Sequence, residues 1–300
     1  GTDMARKKPH IRDDAAFSAV NYAILSIILL SVLYPLIYVV SCSFSSTSAV
    51  MGGRVWLYPV EPSLAGYRAV FNNRDIGTGY LNALFYTAAG TLVNLIVNLA
   101  AAYPLSRRDL KARGPIMLLF SFTMFFSGGM IPSYLLIAQL HLLNSRFALI
   151  LPGAVSVYNM IIARQFFQDN IPQELLEAAR LDGCSDYQFI GRVVLPLSGA
   201  IVAVLGLFFA VSHWNSYFSA LLYISDRRKY PLQVFLREIL IQNSIDASMT
   251  GDLQDIVAKE GLQELLKYAL IVVASLPVMI IYPFVQKFFV KGVMIGSIKG

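Results

Sequence analysis

The sequence predicts an all-α polytopic membrane protein with six transmembrane helices. Three observations carry this. The 300 residues are 56% hydrophobic and 14% charged, against about 25% charged in an ordinary globular domain. The charges are bunched, so that uncharged runs of roughly 17–25 residues or more, the length of a membrane span, lie between them. The period-two alternation of a membrane barrel is absent, and without a closed barrel a chain in lipid satisfies its backbone polar groups as helix.

The segment 1–16 contains GTDMARKKPHIRDD, polar and basic, with Met4 the expected natural start. The first span lies within Ala15–Gly53 and reads as retained, because a cleaved signal would have a shorter apolar core and a small-residue cleavage site. The second lies within Ile76–Ser106 and the third between Gly114 and Ser145. The fourth runs from Phe147 to about Gln168, the fifth lies within Val193–Ser225, and the sixth runs from Tyr268 to Gln286. The membrane domain is therefore 17–290. Between the first two spans, LYPVEPS punctuates an extended loop with short turns. In the outer loop 226–267, YPLQVFLREIL sets Leu232, Phe235, Leu236, Ile239 and Leu240 on one helical face, and DLQDIVAKEGLQELLK forms a second amphipathic stretch.

Basic residues set the orientation. With the amino terminus inside, the inner segments hold Arg6, Lys7, Lys8 and Arg12; Arg107, Arg108, Lys111 and Arg113; Arg164, Arg180 and Arg192; and Lys287, Lys291 and Lys299. Fewer of the 24 basic residues fall outside, so both termini are expected in the cytoplasm. The net charge of +6 follows mostly from this bias and gives no reason to invoke nucleic acid. Cys42 and Cys184 fall on opposite sides of the membrane, too far apart for a disulfide.

The inner segment 169–196 is different in kind. EAARLDGCSDYQFIGRVVLPL is polar and punctuated. Pro172 suits a first helical position, Asp169 and Asn170 suit its cap, and Glu174 and Arg180 complement the helix dipole. Gly183 is placed to end the helix in the left-handed conformation. SDYQ is a capping box that starts a second helix, and Pro196 marks the entry to span five. Leu175, Leu176, Ala178, Ala179 and Leu181 give the first helix an apolar surface, which suits either a docking knob or an amphipathic linker resting on headgroups.

The stretch ELLEAARLDGCSDYQFIGRVVLPLS resembles the EAA loop of ABC importer permeases, with Glu177, Ala178, Ala179, Gly183, Ile190, Leu195 and Pro196 at the family's positions. NALFYTAAGTLVNLIVNLAAAYPLSR and YPFVQKFFVKGVMIGSIKG are similar to the maltose-type carbohydrate branch, and the resemblance runs from about Phe17 onward. It implies the type I importer permease fold in a bacterial inner membrane. It also implies a second homologous permease, two ATPase subunits that bind ATP and Mg, and an extracytoplasmic solute-binding protein that delivers an oligosaccharide. The loop becomes the coupling helix, with Glu177, Ala178, Ala179, Leu181, Asp182, Gly183, Leu195 and Pro196 facing the ATPase. The tail 291–300, with Gly292, Gly296 and Lys299, becomes a further ATPase contact. The outer loop and the carboxyl end look most like the subgroup associated with acidic oligosaccharides such as alginate or pectin fragments. From the residues alone, no G-x-x-x-x-G-K-[ST] loop is present, so the chain cannot cradle ATP phosphates and its energy is expected from a partner; no cofactor is expected in this chain.

Polar residues within spans are costly and often functional. Asn82, Tyr86, Asn94 and Asn98 fall in span two, Ser156, Tyr158 and Asn159 in span four, and Ser212, His213, Trp214, Asn215 and Tyr217 in span five. Asn82, Tyr86, Tyr158, Asn159, Trp214 and Asn215 are the candidate substrate pathway, since a sugar's C–H face can rest on an aromatic ring while amides meet its hydroxyls. Trp214 and Asn215 match a tryptophan-polar position in the resembling family, but the proline common after it is replaced by Ala220 or Leu221. Helix-to-helix bonds and an aromatic belt would use the same residues; His213 suits a helix-to-helix bond and Arg164 a snorkelling anchor. No metal-ligand spacing or hydrolase constellation is present, so the chain is not read as an enzyme. No Asp or Glu falls inside the six runs, which weighs against an ion-coupled carrier, and a purely structural subunit would not need the capped knob.

Overall fold

The computed structural model describes residues 11–242 and 253–297, with side chains for 17–241 and 261–286. Among the described residues the elements are helices and turns, with no strand, as the apolar runs predict. Helix α1 is Ile11–Ser43, with an apolar part Phe17–Ser43 of 27 residues. At about 1.5 Å per residue it exceeds the roughly 30 Å hydrocarbon core. Helix α2 is Arg74–Ser106, capped by the Asn73 side chain, which accepts from the Asp75 and Ile76 amides.

The third run is broken. Helix α3, Arg113–Phe125, and helix α4, Met130–Gln139, meet at 113°. The cause lies in SGG: Gly129 stands at φ +87°, ψ 178°, a conformation open essentially to glycine alone. The fourth run is only partly helical. Helix α5 is Val157–Asn170, about 21 Å long, and a 3-10 turn Arg146–Leu149 followed by unwound chain leads into it. Helix α6 is Gln173–Leu181, α7 is Asp186–Phe189, and α8 is Gly199–Trp214. A π turn over Ile190–Val194 and the short helix Leu195–Leu197 join the last two. Helix α9 is Leu232–Gln242 and α10 is Leu253–Ser297.

Three helices are long and apolar enough to cross a membrane, and up to five crossings result if each bent pair counts as one. The six expected spans are thus met in part, because chain that is apolar in composition is not everywhere helical. Two further expectations change. The amphipathic stretch beginning at Leu253 is continuous with span six as one 45-residue helix that runs through the expected tail to Ser297. The span Gly261–Gln286 also contains Glu264 and Lys267, which pair at 2.5 Å, so a carboxylate does lie in a candidate span, neutralised by its neighbour. Residues 1–10 of the basic segment, 243–252 of the outer loop and 298–300 lie outside the described residues.

The chain divides into two units, Gly1–Val70 with Ile245–Val272, and Phe71–Ser244 with Val273–Gly300. In the first, Cys42, Ala49, Val50, Val55 and Leu265 form a small core, and Gly66 lies against the Leu265 carbonyl where a Cβ would stand 2.8 Å away. In the second, one core gathers Tyr103 of α2, Met160 and Phe167 of α5, Leu176 of α6, Phe189 of α7 and Leu205 of α8. Both α6 and α7, with the π turn that follows, therefore root in the same apolar cluster. Both cysteines are free.

Candidate coupling knob and translocation face

The inner segment folds as a helix, a glycine turn and a helix. Pro172 has extended geometry and stands just before α6, one position earlier than expected. Asp169 and Asn170 do not cap it: they end α5, where Asn170 donates to the Phe166 carbonyl and Asp169 accepts from Gln165. At the other end the expectation holds in detail. Gly183 lies at φ +74°, Cys184 N donates to Ala179 O at 2.9 Å and Gly183 N to Arg180 O at 3.1 Å, the paired bonds of a Schellman cap. Ser185 and Gln188 form the reciprocal capping box of α7.

The apolar surface of α6 splits. Leu176 is buried and Ala179 half-buried against the core, which seats the helix. Leu175, Ala178 and Leu181, spaced by three, face outward with Glu177 and Asp182. Leu181 is 89% exposed and Tyr187 of α7 88% exposed. The turn thus carries an exposed apolar tip and is rooted in the core on its other side. Leu195 and Pro196 are also exposed, at the far end of the segment. Upstream of Pro196 the backbone makes a π turn, with Leu195 N bonded to Ile190 O, a register that accommodates a residue lacking an N–H. The path then bends by 81° into α8.

An ion cluster ties this knob to α2. Arg107, directly after the helix, donates to Asp109 and, at 2.9 Å, to Asp186. Arg180 of α6 reaches Asp109 at 3.3 Å. One cluster thus joins both helices of the knob to the end of α2. The hydrogen bond from Arg107, helped by Arg180, holds the Asp109 carboxyl down to about 2, and the same pairing raises Arg107 above its ordinary value. A cleft of about 500 Å³ opens beside the cluster, between the Arg107–Asp109 loop, the end of α5 and α6. Two neighbouring side chains close the free end of α2: Arg164 Nε donates to Leu105 O at 2.9 Å and Gln168 to Ser106 O. Arg164, expected as a snorkelling anchor, thereby caps the end of α2 through its Nε.

The geometry now meets the comparisons. A family model described as binding-protein-dependent transport system inner membrane component matches residues 110–295, more than half of the chain. The chain belongs to that family. The permease is 42% identical to the polygalacturonan/rhamnogalacturonan transport system permease protein YtcP of Bacillus subtilis strain 168 over 285 residues, covering 95% of this chain and 98% of YtcP. It is 41% identical to Protein LplC of the same organism over 266 residues, 89% of each chain. A crystal structure of a bacterial ABC transporter involved in the import of the acidic polysaccharide alginate matches with a TM-score of 0.85 and 36% identity, over 94% of this chain and all of that one. This is a multi-pass membrane transport permease of the ABC importer type, a transport subunit and not an enzyme.

The permease's polar span residues separate into two groups. Asn82, Tyr86, Asn94 and Asn98 lie four apart on α2 and continue through Gly90 and Ala102 as one buried stripe. Asn82 donates to the Arg228 and Tyr230 carbonyls at 2.7 and 3.1 Å, and Tyr86 to the Lys229 carbonyl at 2.9 Å. Asn94 donates to Gly153 O at 2.9 Å; Asn98 donates to Ala154 O at 2.8 Å and accepts from Ser156 N at 2.9 Å. Unwound backbone at membrane depth must be satisfied within the protein, and these asparagines do it. Trp214 is 3% exposed and donates to Ala274 O of α10 at 2.9 Å. Asn82, Tyr86 and Trp214, expected on the pathway, thus direct their donors to backbone carbonyls within the chain. His213 makes the expected helix-to-helix bond, with Nε2 3.2 Å from Asn94 Oδ1, beside a Gly90 that leaves no room for a Cβ.

Tyr158, Asn159 and Asn215 form the second group. Tyr158 is 63% exposed, Asn159 half-buried with its backbone amide capped by Ser156, and Asn215 exposed with its amide on Val211 O. Leu151, Pro152 and Gly153 of the unwound stretch are exposed as well. Gly292 and Gly296 lie within the helical backbone of α10, and Lys299 lies outside the described residues. Sequence reasoning missed the Arg107 cluster and Asn144. Asn144, at φ +56°, accepts from the Asp226 amide and from Lys229; the turn-prone LNS around it was the available signal.

Proposed function

We propose that this chain is one half of a heterodimeric permease that imports an acidic oligosaccharide, with both termini in the cytoplasm of a bacterial cell. A binding protein on the outer side releases the sugar to a passage shared with a second permease. Two cytoplasmic ATPase subunits, which hold ATP and Mg, receive the knob and drive the pair between inward- and outward-open forms. The observation that carries the reading is the exposed apolar tip, Leu181 and Tyr187, on a turn tied through Arg107 to the helix that holds the unwound stretch. Similarity to YtcP and to the alginate importer, each named for an acidic polysaccharide or one rich in acidic sugars, supports the substrate class.

In this reading Tyr158, Asn159 and Asn215 face the sugar. Unwound chain is tolerated at membrane depth where it is buried in protein or lines a water-filled cavity, and here its outer face is exposed. Glu177, Ala178, Asp182 and Gly183 accompany Leu181 in the ATPase groove, Leu195 and Pro196 set the exit of the segment, and Gly292, Gly296 and Lys299 form a second contact.

The test is affinity purification of the chain in mild detergent from its host, with identification of what stays bound. A second permease and an ATPase should be recovered. Leu181→Asp with Tyr187→Asp changes only exposed positions, so it should lose the ATPase and keep the permease partner. ATPase recovery equal to wild type would remove the knob from the interface.

A further inference from the structure

Arg146 opens the 3-10 turn that leads into the unwound stretch. Its side chain is exposed, yet it is held in one plane. The guanidinium lies over the Phe85 ring, 4.9 Å from the centroid, and Nη2 donates to Asn82 Oδ1 at 3.2 Å. That acceptor is itself fixed, because the Asn82 amide nitrogen already serves two carbonyls and the oxygen must point the other way. Arg227 and Arg228 are each neutralised by a carboxylate. Among the described residues Arg146 has no such partner.

A guanidinium carries five N–H donors in a rigid fork that matches a carboxylate. One is directed at Asn82, which leaves an edge free. Asn82 and Phe85 lie 8 and 11 residues into α2, about 12–17 Å along its axis, where an unpaired charge facing lipid is costly. A cation that is seated, planar and unpaired at the head of the unwound stretch is suited to an anion that arrives and leaves.

We propose that Arg146 binds a carboxylate of the acidic oligosaccharide as it enters the passage, and so sets the preference for uronides over neutral sugars. This rests on the acidic-oligosaccharide reading above. Phe85 and Asn82 act as positioning residues that keep the fork flat. A salt bridge to a lipid phosphate would use the same chemistry, but it would not discriminate between sugars.

The test is equilibrium titration of the detergent-purified importer, without its binding protein, using trigalacturonate and its fully methyl-esterified counterpart. Arg146→Gln should weaken binding of the acid about tenfold, the scale of a charge-assisted hydrogen bond, and leave the ester unchanged. Arg146→Lys keeps the charge and loses the fork; it should give a smaller loss, again for the acid alone, and it carries the test if the glutamine variant does not assemble. Equal weakening of acid and ester, or no change in either, overturns the assignment while wild-type binding of the acid preserves the substrate reading. Failure of the wild-type importer to bind trigalacturonate better than the ester overturns both.

Discussion

Replacing Gly183 by valine should uncouple ATP hydrolysis from uptake without unfolding the chain. The residue stands at φ +74°, and a Cβ built there meets no atom within 4 Å, so no clash contributes and the whole penalty is conformational. For an L-residue in the left-handed region that penalty is about 1–2 kcal/mol, and a β-branched side chain lies toward about 3 kcal/mol. The two bonds of the Schellman cap are each worth about 1 kcal/mol, so the strain is comparable to what closes the turn. Leu176 before the turn and Phe189 after it stay rooted in the core, so the defect is confined to the tip. The assay is the ratio of sugar transported to ATP hydrolysed in proteoliposomes holding the complete importer. The ratio should fall in the order Gly, Asn, Ala, Val, by about tenfold at valine, because asparagine enters the left-handed region more readily than alanine. An Asn variant as defective as Val would make side-chain size the cause, and a Val variant with the wild-type ratio would refute the reasoning.

Three further outcomes follow from the packing. Asn98→Leu should lower stability by about 1–3 kcal/mol for each backbone group left alone, since Ala154 O and Ser156 N lose their partner; thermal unfolding of the purified complex reads it, and an unchanged midpoint would show that water takes over. Trp214→Ala should reduce the yield of assembled complex, losing about 3–5 kcal/mol as a buried aromatic, while Trp214→Phe, which keeps a six-membered ring but loses the bond to Ala274 O, should give a smaller loss; a fully assembled Ala variant with altered sugar affinity would return Trp214 to the pathway. Asp109 has a folded pKa of about 2, depressed from 3.8 by its bond from Arg107, so its stabilisation is present above pH 4 and is lost as pH falls toward 2. Unfolding of wild type and Asp109→Asn over that window should differ in slope, and parallel curves would mean the pair contributes nothing.

The knob was legible because its information is local. Proline, glycine, and a serine three residues before a glutamine each dictate one backbone state whatever surrounds them, and Gly183 and the Ser185–Gln188 box appear where they were expected. The stripe on α2 was visible as polar residues four apart, but its purpose was not, because its partners are backbone groups as many as 148 positions away. Hydropathy fails for the same reason at 146–156. It registers side chains, and an unwound stretch of Phe, Leu, Pro, Gly and Val is as apolar as a helix. Pro152–Gly153 was the available signal. For Trp214 the residue type gave two readings, belt or pathway, and burial against α10 supplied a third.

One helix connects these observations. At one end α2 holds the carbonyls of residues 228–230 through Asn82 and Tyr86; in its middle Asn94 and Asn98 hold the unwound stretch; at the other end its last carbonyls take Arg164 and Gln168, and Arg107 takes Asp186 of the knob. From Asn82 to Arg107 is about 37 Å along the axis. Sharp kinks in helices arise at identifiable breaks such as proline, and the one proline in α2, Pro104, lies in the last turn, beyond the stripe. A displacement of the knob must therefore either break the Arg107 pairs or carry α2 with it. If α2 moves, the backbone it grips moves too, because the bonds that Asn82, Tyr86, Asn94 and Asn98 donate end on main chain, which cannot swing aside as a side chain would. The fastening residues, which contact no sugar in this arrangement, are thus what would make a push at the tip felt at Tyr158 and Asn159.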